Sequence, residues 1–149
     1  MEGLQFLVAG NELDSLPEQS RISPFRHAIE CRINAEDPRN NFMPSPGRIV
    51  TWKPPSGAGI RVDSHCSRDY VVPPFYDSMI GKLIVTAEDR PQALRRLKRA
   101  LDTFAIEGIK TNLPLLKEIV ASELFENNEI HTKWLEENLL PNLFEKDKV

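Results

Sequence analysis

The stretch His27–Pro38, HAIECRINAEDP, alternates apolar Ile29, Cys31 and Ile33 with polar Glu30, Arg32 and Asn34, then stops at a Glu-Asp-Pro break. Successive side chains of a strand point to opposite faces, so this spacing predicts a strand with one oily face. The other face carries an acid, a guanidinium and an amide at i, i+2 and i+4. Such a face suits either the wall of an anion site or solvent, and the stretch alone leaves both open.

Working outward, the twelve prolines outnumber the seven glycines. Most of them lie between Pro17 and Pro74, often in pairs. Proline fixes φ and has no amide proton, so this half is predicted to consist of short strands and rigid turns. Strands are expected at Arg48 to Trp52, Ile60 to Ser64 and Met79 to Thr86, with breaker-rich loops at Pro44-Ser45-Pro46-Gly47 and Lys53 to Gly59. Upstream, Leu4 to Ala9 reads as the end of a helix stopped by Gly10 and Asn11.

Downstream the period changes to 3.6. Asp89 is placed to cap a helix with Pro91 in its first turn, and Ala93, Leu94, Leu97, Ala100, Leu101 and Phe104 form its apolar stripe. Thr111-Asn112 before Pro114 restarts a helix carrying Leu115, Leu116, Ile119 and Val120. Thr132 is expected to cap a last short helix ending before Pro141. The predicted fold class is therefore α+β: an antiparallel sheet or small barrel in the first half, packed against C-terminal helices. The divisions expected are a lead-in over 1–26, one domain over 27–141 and a tail over 142–149.

Bulk properties narrow the function. The chain has 149 residues, 40% hydrophobic and 28% charged, with a formal charge of −3. That balance suits a soluble globular protein and argues against a generally electrostatic nucleic-acid binder. No apolar run reaches the roughly 18 residues that suggest a membrane span, and MEGLQFLVAGNELD lacks the pattern of a signal peptide. Two cysteines, Cys31 and Cys66, make no disulfide framework and point to the cytoplasm.

Several chemistries find no support. His27 and Cys31 share a strand face that reads as core, neighbouring His65 and Cys66 point apart, and no Cys-x-x-Cys occurs, so no metal site is expected. Ser64 and His65 are adjacent in sequence, which does not supply the through-space geometry of a nucleophile and base. Gly57-Ala58-Gly59 matches no phosphate loop, so the chain is expected to bind no ATP through a glycine-rich loop of its own. Arg95, Arg96, Lys98 and Arg99 read as a solvated helix face. Two features remain. One is Arg32, whose planar fork matches carboxylate-shaped anions, flanked by Glu30 and Asn34. The other is Asp77, at the end of the stiff Pro73-Pro74-Phe75-Tyr76 loop. A Glu–Arg pair and a capping aspartate explain both without any site.

The ordered set HAIECRINAEDP, FMPSPGRI, GIRVDSH, VPPFYDSMIGKLI and GIKTN resembles the C-terminal domain of biotin carboxylase. That ATP-grasp enzyme module is shared by acetyl-CoA, propionyl-CoA and pyruvate carboxylases. The resemblance runs from His27 to about Pro141 and extends more weakly to LVAGNEL. It implies a part in a ligase reaction: ATP activates bicarbonate, and biotin on a carrier protein is carboxylated, as in the acetyl-CoA carboxylase step of fatty acid biosynthesis. It further implies that Arg32 holds bicarbonate and the ureido oxygen of biotin, that Asp77 lies near the biotin pocket, and that Glu30 orients Arg32.

ATP and Mg2+ would be held by N-terminal lobes that have no counterpart in these residues, so the chain alone is expected to be inactive. The implied partners are those lobes, the biotin carboxyl carrier protein and a carboxyltransferase. A homodimer is also implied, through the segment around Gly59 and Arg61. Arg26 and Ser67 depart from the pattern, where glycine and an aromatic are usual. An alternative reading is a non-catalytic interaction or dimerisation module derived from a carboxylase.

Overall fold

The alternation in HAIECRIN produces the strand it predicts. In the computed structural model, which describes residues 2–11, 14, 16–21 and 25–141, β1 (His27–Asn34) buries Cys31 and Ile33 while Glu30 and Arg32 stay exposed. Its partner is the most apolar strand of the chain, numbered β8 below. The expected tail over 142–149 lies outside the described residues.

Between these two strands the proline-rich segment makes a series of very short ones. They are β2 (Glu36–Asp37), β3 (Met43–Pro44), β4 (Gly47–Arg48), β5 (Thr51–Lys53), β6 (Ile60–Asp63) and β7 (Val71–Val72), before β8 (Met79–Ala87). β8 takes the centre of an antiparallel sheet in the order β1-β8-β6. Its register sets Arg32 opposite Lys82 and Cys31 opposite Leu83, while β6 sets Val62 opposite Leu83 and Asp63 opposite Lys82. β2 pairs with β3 and β4 with β7. Among the described residues β1 and β6 remain open edges, so the sheet forms and the barrel alternative does not.

The helix α2 (Arg90–Thr103) covers the oily face. Asp89 Oδ1 accepts the Gln92 amide proton at 2.8 Å, and Pro91 sits in the first turn, where its missing donor costs little. Ala93, Leu94, Leu97, Ala100 and Leu101 are buried, and all but Ala93 join Cys31, Ile33, Leu83 and Val85 in one core. Trp52 meets Phe104 edge to face at 5.3 Å between ring centroids.

Three expectations change in the structure. The single strand expected over Arg48 to Trp52 is two, because Ile49 turns fully into the core and its neighbours pair with different partners. One of those partners is β9 (Ala105–Glu107), a strand of three residues directly after α2, too short to show a period. The last short helix has no cap from Thr132. A π-helical turn over Leu135–Leu139 follows Trp134, and Pro141 is still helical.

Elsewhere the pattern holds. α1 (Glu2–Ala9) ends at Gly10 and at Asn11, whose φ of +60° is left-handed. α3 (Leu113–Ala121) buries Leu113, Leu115 and Val120, and the short α4 (Glu123–Glu126) follows. Not all of the basic residues of α2 are merely solvated. Arg96 donates to the Thr86 carbonyl and closes over Gly59, Lys98 pairs with Glu126 at 3.0 Å, and Arg90 stacks on Phe125. No helix among the described residues is long and apolar enough to cross a membrane.

Candidate functional site

The face of the sheet turned away from α2 carries charge. Across it run two rows fixed by register: Arg32, Lys82 and Asp63 in one, Glu30, Ile84 and Arg61 in the other. Arg61 grips the Asp63 carboxylate with Nε and Nη2 at 2.6 to 3.0 Å. That grip, followed by weaker attraction from Arg61 and Lys82 as charges, holds the Asp63 carboxyl below its usual range.

Arg32 is held far more loosely. Its Nε stands 3.9 Å from Glu30 Oε1, with side chains 70% and 44% exposed. A pair of that length in solvent contributes little and does not lock the guanidinium. Lys82, directly across, makes no ion pair within 4.0 Å among those the structure shows. Two cations opposed on neighbouring strands are mutually unfavourable, by a few tenths to about 1 kcal/mol. An anion lying between them would relieve that repulsion.

Asn34 follows Arg32 at the same two-residue spacing of β1 and is half-buried. The β1–β8 register shifts between Ile33 and Asn34. Beyond the shift the Asn34 amide is half-buried and donates to Glu36 Oε1 at 3.3 Å. The unpaired residue of this bulge is Ile80, so the local bend belongs to β8.

Asp77 lies beyond the same end of the sheet. Its Oδ1 accepts the Met79 amide proton at 2.9 Å, a turn that stiffens the entry to β8. The next residue ties the loop down, because Ser78 donates to Glu36 and its carbonyl accepts from the Ala35 amide at 2.8 Å. Phe75 and Tyr76 on this loop are 85% and 82% exposed. Arg32 and Asp77 therefore flank one corner of the sheet without touching. Asp77 lies five residues before Lys82, the partner of Arg32, no more than roughly 17 Å of extended chain.

The residues set aside on sequence grounds have other work. Cys31 is in the core, where burial first and the Glu30 charge second push its thiol up to about 11, so it is no thiolate near neutrality. Ser64 donates to the Ile80 carbonyl at 2.5 Å and accepts the Cys66 amide proton at 2.9 Å, while His65 packs edge to face on Tyr70. Among the described residues no group of three or more His, Cys, Asp or Glu is placed to hold a metal.

A cavity of about 320 Å³ lies between Arg39, Ile106, Lys110, Pro114 and Leu115, and none of Glu30, Arg32 or Asp77 lines it. The charged face is thus an open wall. Lys82 belongs to that wall and was not singled out from the sequence. Its signal was available, since it is the one charged residue in the apolar run Met79–Ala87.

This fold and this face can be set beside known proteins. The family model of the biotin carboxylase C-terminal domain matches residues 30–137, well over half of the chain. The chain belongs to the biotin carboxylase C-terminal domain family. Among curated relatives, Biotin carboxylase 1 of Bacillus subtilis is 52% identical over 130 residues, covering 87% of this chain and 28% of that protein. A pyruvate carboxylase subunit of Methanothermobacter thermautotrophicus is 51% identical over 119 residues, covering 80% of this chain and 24% of that one.

Among solved structures, the biotin carboxylase domain of a thermophilic 2-oxoglutarate carboxylase bound to bicarbonate superposes with a TM-score of 0.82. It is 43% identical and covers 86% of this chain and 28% of that one. The chain therefore spans about a quarter of the length of the relatives it matches.

Proposed function

We propose that this chain is the C-terminal portion of an ATP-dependent biotin carboxylase and presents Arg32 to biotin and bicarbonate. The observation that carries the reading is the exposed guanidinium of Arg32, opposed by Lys82 and held only at 3.9 Å by Glu30, on an open sheet face. A guanidinium free of a tight carboxylate partner is available to an anion. Deprotonated biotin places negative charge on its ureido oxygen, and a cation already in position stabilises that charge as it develops.

Asp77, beside the exposed Phe75 and Tyr76, stands at the biotin end of the wall, and Glu30 biases the orientation of Arg32. ATP and Mg2+ are bound by N-terminal lobes in this reading, which is supported by a solved relative described with MgADP, of which this chain covers 25%. Biotin arrives on a carrier protein, and the acceptor is chosen by a separate carboxyltransferase. Dimerisation is supported by a solved relative described as a biotin carboxylase domain dimer with MgADP and bicarbonate, and we place the contact around Gly59 and Arg61.

The test joins this chain to the N-terminal ATP-grasp lobes of the Bacillus subtilis relative and measures biotin-dependent ATP cleavage with bicarbonate. The joined protein is expected to be active and the chain alone inactive. Arg32→Ala is expected to lower kcat/KM for biotin by at least about a hundredfold, the scale of losing one preorganised donor at a developing oxyanion. Activity undiminished in Arg32→Ala would remove Arg32 from the site.

A further inference from the structure

We infer that Asn112 is a positioning residue for Arg32, holding the backbone from which the guanidinium springs. β1 is an edge strand, so the Arg32 carbonyl and the Asn34 amide, two residues apart, face outward with no strand to pair them. The carboxamide of Asn112 takes both. Its Nδ2 donates to the Arg32 carbonyl at 3.0 Å, and its Oδ1 accepts the Asn34 amide proton at 2.9 Å. The backbone amide of Asn112 adds a third bond, to the Asn34 carbonyl at 3.1 Å.

One side chain thus copies the hydrogen bonding of an absent strand. It does so where β1 needs support, because the β1–β8 register slips between Ile33 and Asn34. A helix-opening asparagine ordinarily turns its side chain onto its own helix. Here the side chain makes no bond to the amides of α3 and is spent on β1 instead. Among the described residues the one ion pair of the Arg32 side chain is the 3.9 Å contact with Glu30. Its placement is therefore set mainly at its root, and a displacement of the order of 1 Å at a catalytic group costs up to about a hundredfold in rate.

This inference rests on the assignment of Arg32 above, and the test separates the two. In the joined carboxylase, Asn112→Ala removes both side-chain bonds. Asn112→Asp keeps the acceptor and the backbone bond but sets a carboxylate oxygen against the Arg32 carbonyl. Each is expected to lower kcat/KM for biotin by roughly tenfold or more, with KM for ATP unchanged. Combined with Arg32→Ala, neither should lower it further, because a residue acting through Arg32 has nothing left to position.

Losses that multiply in the double variants, or a matching rise in KM for ATP, would make Asn112 a structural residue only. Full activity in both Asn112 variants beside a damaged Arg32→Ala overturns the positioning role and leaves the Arg32 site standing. An undamaged Arg32→Ala overturns both. If Asn112→Ala does not fold, Asn112→Asp alone decides the matter by the same cycle.

Discussion

The two faces of the β1-β8-β6 sheet are made by the same three strands under opposite rules. On the inner face Cys31, Ile33, Leu83 and Val85 pack against α2, and each is nearly or wholly removed from solvent. On the outer face the exposed Arg32 opposes the half-buried Lys82, with Arg61 and Asp63 tightly paired beside them. Burial of apolar surface accounts for the first arrangement. Burial does not account for the second, where Lys82 is repelled by Arg32 on one side and attracted by Asp63 on the other. A face that leaves the guanidinium of Arg32 exposed and loosely held is where a ligand is to be sought.

Adjacent residues on β8 give the sharpest way to break this comparison. Leu83 is fully buried and Lys82 is on the outer face. Leu83→Ala is expected to cost about 2 to 5 kcal/mol in urea unfolding, through lost transfer energy and the cavity left behind. A loss below about 1 kcal/mol would mean that the inner face is not the organising core.

The faces should also respond to pH with opposite signs. The Cys31 thiol is raised from 9.0 to about 11 in the folded state, so its contribution is complete below pH 9 and lost as pH rises through 11. The loss at pH 11 is on the order of 2 kcal/mol, and Cys31→Ser should flatten this alkaline slope, leaving the part due to Cys66, whose thiol is also raised by burial. The Asp63 carboxyl is lowered from 3.8, so its contribution is complete above that value and fades as pH falls through the depressed one. Being exposed, the acid effect should be small and should shrink in salt, whereas the alkaline one should not.

The smallest effect is expected at Lys82. Lys82→Gln removes the repulsion from Arg32 together with the attraction to Asp63 and should shift the urea midpoint by no more than a few tenths of a kcal/mol. A clear destabilisation would show that the attraction to Asp63 outweighs the repulsion from Arg32.

Much of this was legible along the chain because it depends on local periods. The two-residue alternation of β1, the stripe from Ala93 to Leu101 and the Asp89 cap each need only near neighbours, and each formed as read. β9 was not legible, since three residues carry no period and its existence depends on β5 lying alongside. Asn112 was read as a helix start, which is its place in the chain but not the use of its side chain. The unpaired Ile80 of β8 was not legible, because a bulge belongs to a pair of strands and cannot be seen in one of them.

For the candidate site, sequence alone determined the kind of group and its face: an arginine between an acid and an amide, opposite an oily surface, in a motif shared with biotin carboxylases. Tertiary structure decided its surroundings. Lys82 came to face Arg32 through the β1–β8 register, and Asn112 reached the Arg32 carbonyl from 80 residues away. Side-chain alternation is a property of each strand, whereas cross-strand neighbours and edge partners exist only once the chain has closed its loops, which is why the first could be read and the second had to be seen.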